Sequence, residues 1–402
     1  MPKGKAWYAK DLPFLLNHEY WYMNRKTTYA AATAVAPTIE RHFAQQQTEA
    51  RLRGEGNVAP APSVEVVEAL IDVAFWASLR KEEGQSPKIS LAFLPPDQAG
   101  RPLLFAQRLP LSSHTLTKLA PGVERAGIHL GVWHENGELY LWGTTREILS
   151  LCFVLDVSEP GLLVVKHRRS SGFGKFANVA VLKGDVVKII DERSDSLPDC
   201  PEVLTSLLGF TTPSSWNASV NVLVQLAVSM RAHGNGGTLL VVPAGSDKWQ
   251  ESIVQPMQYA ISPAFSSLAE LMRQDKEDRS HSLWQGALRR EIDGVAGLTA
   301  VDGATVINDQ HEVLAFGAKI LRSDGNEQVE QIVVTEPVEG NEAIIIHPVY
   351  NGGTRHLSAA QFVHDQRDAT ALVASQDGRF TIFSWSPCEM MVHAHRVDTL
   401  LL

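Results

Sequence analysis

Two short stretches hold residue types from which a phosphate-handling site could be built. The first is Asp302-Gly303-Ala304, with β-type residues on both sides over 298–307. Strands disfavour Asp and Gly. A Gly within a strand pattern often marks close approach by a ligand or another backbone. The Asp302 carboxylate offers hard oxygen to a divalent cation such as Mg²⁺. Taken alone the triplet reads better as a β-bulge with a solvated Asp, since Asp-Gly recurs at 293–294, 324–325 and 377–378 as a turn signal. The second stretch is Gly352-Gly353-Thr354-Arg355-His356, directly ahead of an apolar helical run over 357–363. Its glycines free the backbone, and Thr354 is placed to cap the helix. Open N–H groups and the helix dipole favour an anion. Arg355 adds a planar fork of donors, and His356 one donor more.

Other candidates are weaker. The basic, glycine-rich loop over 167–175 fails the spacing of a phosphate-binding P-loop, and a solvated hairpin loop explains it at least as well. His393 and His395 alternate on one strand face near Cys388, without a further ligand at metal-site spacing. Trp133 and Trp142 straddle a hairpin and read as core.

The elements that must position these residues fall into two styles. Residues 1–62 give no clear periodicity, although aromatics cluster early (Trp7, Tyr8, Phe14, Tyr20, Trp21, Tyr22). Ser63 opens a helix whose apolar positions Val67, Leu70, Ile71 and Ala74 follow the 3.6 period. Short β-like runs follow at 88–94, 127–133, 138–142, 151–157, 162–166 and 177–190, with Asn136-Gly137 as a hairpin turn. A Ser- and Pro-containing stretch over 191–213 then suggests a linker. Beyond it, 217–233 predicts an amphipathic helix and 238–242 a buried strand. Residues 261–273 predict a helix. Strands are expected at 298–307 and 313–320, a helix at 356–365, and a hairpin at 371–384 around Asp377-Gly378. The expected architecture is α/β: a C-terminal mixed sheet flanked by helices over 216–402, preceded by an α+β domain over 1–215.

Charge and composition narrow the partners. Residues 216–402 carry 13 basic and 22 acidic side chains, the whole of the chain's net −9. Long nucleic acid, which wants a broad basic face, is not expected there. A small phosphate ligand needs only a few local donors. No apolar run is long enough to span a bilayer, and the three cysteines, Cys152, Cys200 and Cys388, form no CxxC pair. A soluble, cytoplasmic protein is the expectation.

The stretches VDGATVI, GGTRHLSAAQFV and ATALVASQDGRFTIF, in that order, resemble the diadenylate cyclase family, whose members show a DGA motif and then a GTRHRAA-like motif. LAVSMRAHGNGGTLLVV resembles that family's opening helix and strand. The resemblance covers roughly 216–390, and the N-terminal region resembles the sensor-like DACNV type. It implies ATP as substrate, with Mg²⁺ or Mn²⁺. It also implies two copies of the domain meeting face to face, as a homodimer or higher oligomer, to make cyclic di-AMP. Carried over by position, Asp302 binds the metal and helps activate the hydroxyl, and Gly303 and Ala304 lie against the nucleotide. Gly353, Thr354, Arg355 and His356 hold the phosphates, and Ser375 and Gln376 sit close by. The N-terminal domain would sense an unknown ligand. Four features depart from the pattern: Leu357 in place of Arg, Gln376 in place of the Glu of some members, Val301 before the Asp, and an insertion over 322–347. Leu357, Gln376 and the insertion motivate one alternative, a nucleotide-binding module without turnover; a second, a nucleotidyltransferase with another product, stands because the sequence does not identify the residues that read the base.

Overall fold

The computed structural model describes residues 27–125, 127–169, 176–191, 204, 218–274 and 282–402. The early aromatic cluster, Cys200, most of the 191–213 stretch and residues 170–175 of the basic loop lie outside these. The chain divides into two compact units, Met1–Arg168 with Leu182–Val187, and Arg169–Val181 with Lys188–Leu402. This division differs from one at 215/216 in where it assigns 169–181 and 188–215.

The first unit begins with α1 (Ala30–Leu52), a helix that the periodicity did not reveal. Its buried side chains Ala32, Val35, Ala36, Ile39 and Phe43 are spaced three and four apart, but most are small and Pro37 interrupts them. Helix α2 (Val64–Ser78) starts as expected, with the Ser63 hydroxyl accepting from the Val66 N–H. Helix α3 (Ser113–Val123) is capped by Ser112 in the same way. The strands are β1 (Ile89–Phe93), β2 (Leu103–Pro110), β3 (His129–Glu135), β4 (Glu138–Thr145), β5 (Phe153–Glu159) and β6 (Leu162–Arg168), ordered β2-β4-β3-β1-β5-β6. Only β1 and β3 run parallel. Gly131 leaves room for the Trp142 indole, whose N–H donates to the Leu94 carbonyl at 2.9 Å. The hairpin β7 (Phe176–Lys183) and β8 (Val186–Ile189) follows.

The second unit is a three-layer α/β structure. Helix α4 (Ala218–Ala232) leads to β9 (Gly237–Val242); then come β10 (Tyr259–Phe265), α5 (Ser267–Arg273) and α6 (Ser282–Leu298). Strands β11 (Ala304–Asn308) and β12 (Val313–Ala318) form a hairpin, followed by β13 (Ile332–Thr335) and β14 (Ile344–Ile346). Helix α7 (Thr354–Asp365) and strands β15 (Thr370–Ala374), β16 (Phe380–Ser386) and β17 (Met391–Arg396) complete the unit. The sheet order is β10-β12-β11-β9-β15-β16-β17-β13-β14. All six residues of β9 are buried. Leu239 and Val241 pack with α4 and α6 on one face, and Leu240 and Val242 pack with α7 on the other. That is the signature of a strand covered on both faces.

Two expectations are corrected here. Residues 261–265 belong to a strand rather than a helix, because Pro263 lacks the N–H a helix needs, while an edge strand tolerates it. Residues 298–301 are not strand either: Leu298 ends α6, and the chain turns through Thr299–Val301 before β11 begins at Ala304. Asp302-Gly303 therefore stands at the mouth of a strand and not inside one. The 322–347 segment supplies β13 and β14, which extend the sheet beyond β17. It is fastened to α7 by Gln361, which accepts from the Val329 N–H and donates to the Glu327 carbonyl.

Phe362 of α7 is fully buried against the sheet. Replacing it with Ala should destabilise the protein by about 3–5 kcal/mol, read as a fall in the denaturant midpoint.

Candidate functional site

Strands β9 and β11 run parallel and both begin at one end of the sheet, where β15 and β12 finish. Thr238 pairs with Ala304, Ala304 with Ala318, and Gly237 with Ala374. The residues just outside these four strand ends are Gly236, Asp302-Gly303, Lys319 and Ser375-Gln376. The first turn of α7 reaches the same place: a Cβ on Gly236 would lie 3.0 Å from Arg355 Nη1, 3.2 Å from the Ala374 carbonyl and 3.3 Å from Gln376 Cγ.

Glycine makes this mouth narrow. Gly303, at φ +115, lies so close to Gly317 that an added Cβ would come within 2.4 Å of its carbonyl carbon. Gly237 is pressed equally against Thr299, at 2.5 Å from its carbonyl oxygen. Neither position accepts a side chain without moving backbone. Gly317 in turn has the Tyr259 ring against it, and Tyr259 stacks on Phe316 with centroids 4.7 Å apart. An exposed aromatic face thus borders the mouth.

The charges come next. Asp302 is almost fully exposed, and its Oδ2 is held by the Lys319 ammonium. A hydrogen bond from Lys319 and the charge behind it hold the Asp302 carboxyl below the usual carboxylate range, and Arg355 adds to the effect at longer reach. Asp302 is thus an anion at neutral pH and a poor proton acceptor. Arg355 makes no ion pair among the described residues. Gln376 donates to the Asn235 carbonyl at 3.3 Å. Ser375 is turned to Asp377 and hydrogen-bonds its carboxylate.

Thr354 is the first residue of α7, but the cap is Gly353, and no side chain caps the helix. The His356 N–H donates to the Gly353 carbonyl at 3.0 Å, which leaves the N–H groups of Thr354 and Arg355 without a partner in the helix. Ala304 is buried in β11, so only its backbone can face a ligand. His356 points away from the mouth: it is 3% exposed, its ring lies under Gly352 and edge-on to Phe383, and Nε2 is 3.3 Å from Thr381 Oγ1. Burial pushes its imidazole down to about 4, opposed by Asp377 and assisted by Arg396, Arg379 and Arg355. The structure thus gathers Asp302, Gly303, Thr354, Arg355 and Gln376 at one mouth, and sets His356 into the core behind it. Sequence reasoning missed Lys319 and Gly236. Lys319 reads as an ordinary residue near a strand end, and Gly236, like Gly234, only as a candidate helix stop.

A divalent ion fits these residues poorly. Lys319 already engages Asp302, the nearby Asp377 is taken by Ser375 and Arg379, and among the described residues no three His, Cys, Asp or Glu side chains cluster as metal ligands. His393 and His395 are buried on β17, with Cys388 exposed, and form no such cluster.

In the first unit, a cleft of about 430 Å³ is lined by Thr28, Asp72, Val73, Trp76, Leu79, Arg80 and Ser113. Asp72 Oδ1 accepts from the Thr28 and Tyr29 N–H groups, and the Trp76 indole donates to Thr28 Oγ1.

Residues 56–146 match the model of a family described as a probable sensor domain, DACNV. The match runs from the loop before α2 to the end of β4, so this region is similar to a probable sensor domain. No curated protein matches the chain. Among the described residues no helix is long and apolar enough to cross a membrane.

The buried His356 gives a pH prediction. Unfolded histidine titrates near 6.5, and the folded group only near 4. Between those values the unfolded chain binds the extra proton. The contribution of His356 is therefore full above about pH 6.5, declines as the pH falls, and is exhausted below about pH 4. Unfolding measured at pH 7, 5.5 and 4 should show a shallower loss in His356→Asn than in the unaltered chain, by up to roughly 1.4 kcal/mol per pH unit.

Proposed function

We propose that the second unit is a diadenylate cyclase that condenses two ATP into cyclic di-AMP and two pyrophosphate, with its output set by the sensor-type domain. The carrying observation is that Asp302-Gly303, Arg355 and the open N-terminus of α7, far apart in sequence, meet at one glycine-lined strand mouth. The chemistry of phosphoryl transfer is mostly positioning and charge stabilisation. Arg355 and the open α7 N–H groups suit the phosphates, and Gly303 and Gly236 let a nucleotide approach the backbone. In each half-reaction a ribose 3′-oxygen forms a bond to the α-phosphorus of the other ATP. The bond to pyrophosphate breaks, and the hydroxyl proton passes to solvent or to a carboxylate. One mouth holds one ATP, so the reaction needs a second copy of the unit facing the first. Mg²⁺ or Mn²⁺ enters this reading as the companion of ATP, not as an ion held by the chain alone.

A second reading, nucleotide binding without turnover, is favoured by two observations: Asp302 is engaged by Lys319, and His356 is turned into the core.

Purified protein incubated with ATP and Mg²⁺ or Mn²⁺ should yield cyclic di-AMP by liquid chromatography and mass spectrometry. Asp302→Asn should abolish it. Arg355→Ala should weaken ATP binding about 10- to 100-fold, the range for losing a charged hydrogen bond. Specific activity should rise with protein concentration until the dimer saturates. ATP binding with no product at any concentration would select the second reading.

A further inference from the structure

Lys319 follows the end of β12, and Asp302 precedes β11. The close backbone contact between Gly303 and Gly317 brings the two together. Their ion pair is at the surface, with the Lys319 side chain about half exposed and that of Asp302 90% exposed. Pairs so exposed contribute little to folding. Holding the fold together is thus a poor account of why a lysine stands there. With Arg355 the mouth carries two cations beside Asp302, the neighbouring Asp377 being paired with Arg379, within a part of the chain that is net acidic.

We propose that Lys319 is a ligand-binding residue of this site. Its ammonium swings between, or bridges, Asp302 and the oxygens of a bound polyphosphate, and so supplies charge that a divalent ion would otherwise have to bring. The inference rests on the nucleotide reading given above and deepens it. A lysine ammonium is a compact charge on a flexible stem with three donors, so it can keep one bond to Asp302 while giving two to phosphate. Arg355 lies across Gly236 as a rigid fork, and the two cations can grip different oxygens. Asp302 then has a role besides metal binding: it holds the ammonium at the mouth when no phosphate is present. A divalent ion seeking Asp302 has to displace Lys319 first, so the lysine and the metal compete for one carboxylate.

The test is fluorescence-anisotropy titration of the full chain with mant-ATP, once in EDTA and once in Mg²⁺. The unaltered protein should bind in EDTA within about 3-fold of its affinity in Mg²⁺. Lys319→Met should lose about 10-fold or more in EDTA, as expected for a lost charged hydrogen bond, and Lys319→Arg should recover part of it. Because the side chain is exposed, thermal melts of all three proteins should coincide, which separates loss of binding from loss of fold. Lys319→Met binding mant-ATP in EDTA as well as the unaltered chain would overturn the proposal. So would an unaltered chain that binds only in Mg²⁺. Absence of mant-ATP binding by the unaltered chain in both conditions would bring down the nucleotide reading itself, and with it this one.

Discussion

A strand buried on both faces leaves little room for polar side chains, and β9 is such a strand, apolar from Leu239 to Val242 with Thr238 near its start. Its residues alternate between two apolar layers, α4 and α6 on one side and α7 on the other. Every unpaired donor or charge buried there would carry a desolvation cost. The chemistry is consequently driven to the end of the sheet, where β9 and β11 begin. The same constraint explains the glycines: backbones that meet at the end of a close-packed layer have no space for Cβ atoms, as Gly237 against Thr299 and Gly303 against Gly317 show.

The electrostatic picture is local. A half-chain with net charge −9 would be a poor surface for an extended polyanion. At the mouth, however, Lys319 and Arg355 outnumber Asp302, and the open turn of α7 adds its dipole. Arg379 is tied to Asp377, and Arg396 to Asn351. Their charges help keep His356 neutral. The histidine of the Gly-Thr-Arg-His stretch therefore serves, in this structure, as packing for the helix start, with its ring filling the space that Gly352 leaves.

Much of this was legible in the sequence where a single physical rule governed. The helix of α4, the apolar run Leu239–Val242 of β9 and the hairpins at Asn136-Gly137 and Asp377-Gly378 follow from periodicity and turn chemistry, and the structure has them. The pattern failed where tertiary packing decided. Helix α6 carries Gly286, Gly294 and Gly297 together with charged Arg289, Arg290 and Glu291, a composition that hides its apolar stripe of Leu288, Ile292 and Val295. Its last turn was consequently read as the start of a strand, which placed Asp302 one element too deep. Thr354 looked like a cap because its hydroxyl type suits one, but the chain enters α7 one residue earlier, at Gly353. The pairing of Lys319 with Asp302 lies at the open end of the β11–β12 hairpin, and it depends on that hairpin's register, which irregularities shift twice between Ala304 and Ile307.

Helix α7 has twelve residues, so it is about 18 Å long at 1.5 Å per residue. Its last turns are gripped by the 322–331 segment: Gln361 is bonded to Val329 and Glu327, and Asp365 accepts from the Ser323 N–H at 2.9 Å. Its first turn carries Arg355. At this end the buried His356 ring, set against Gly352 and Phe383, holds the first turn. The helix is thus braced at both ends like a strut, and the added segment bears on the site, without touching it, as one of the two braces that fix the axis along which Arg355 is presented.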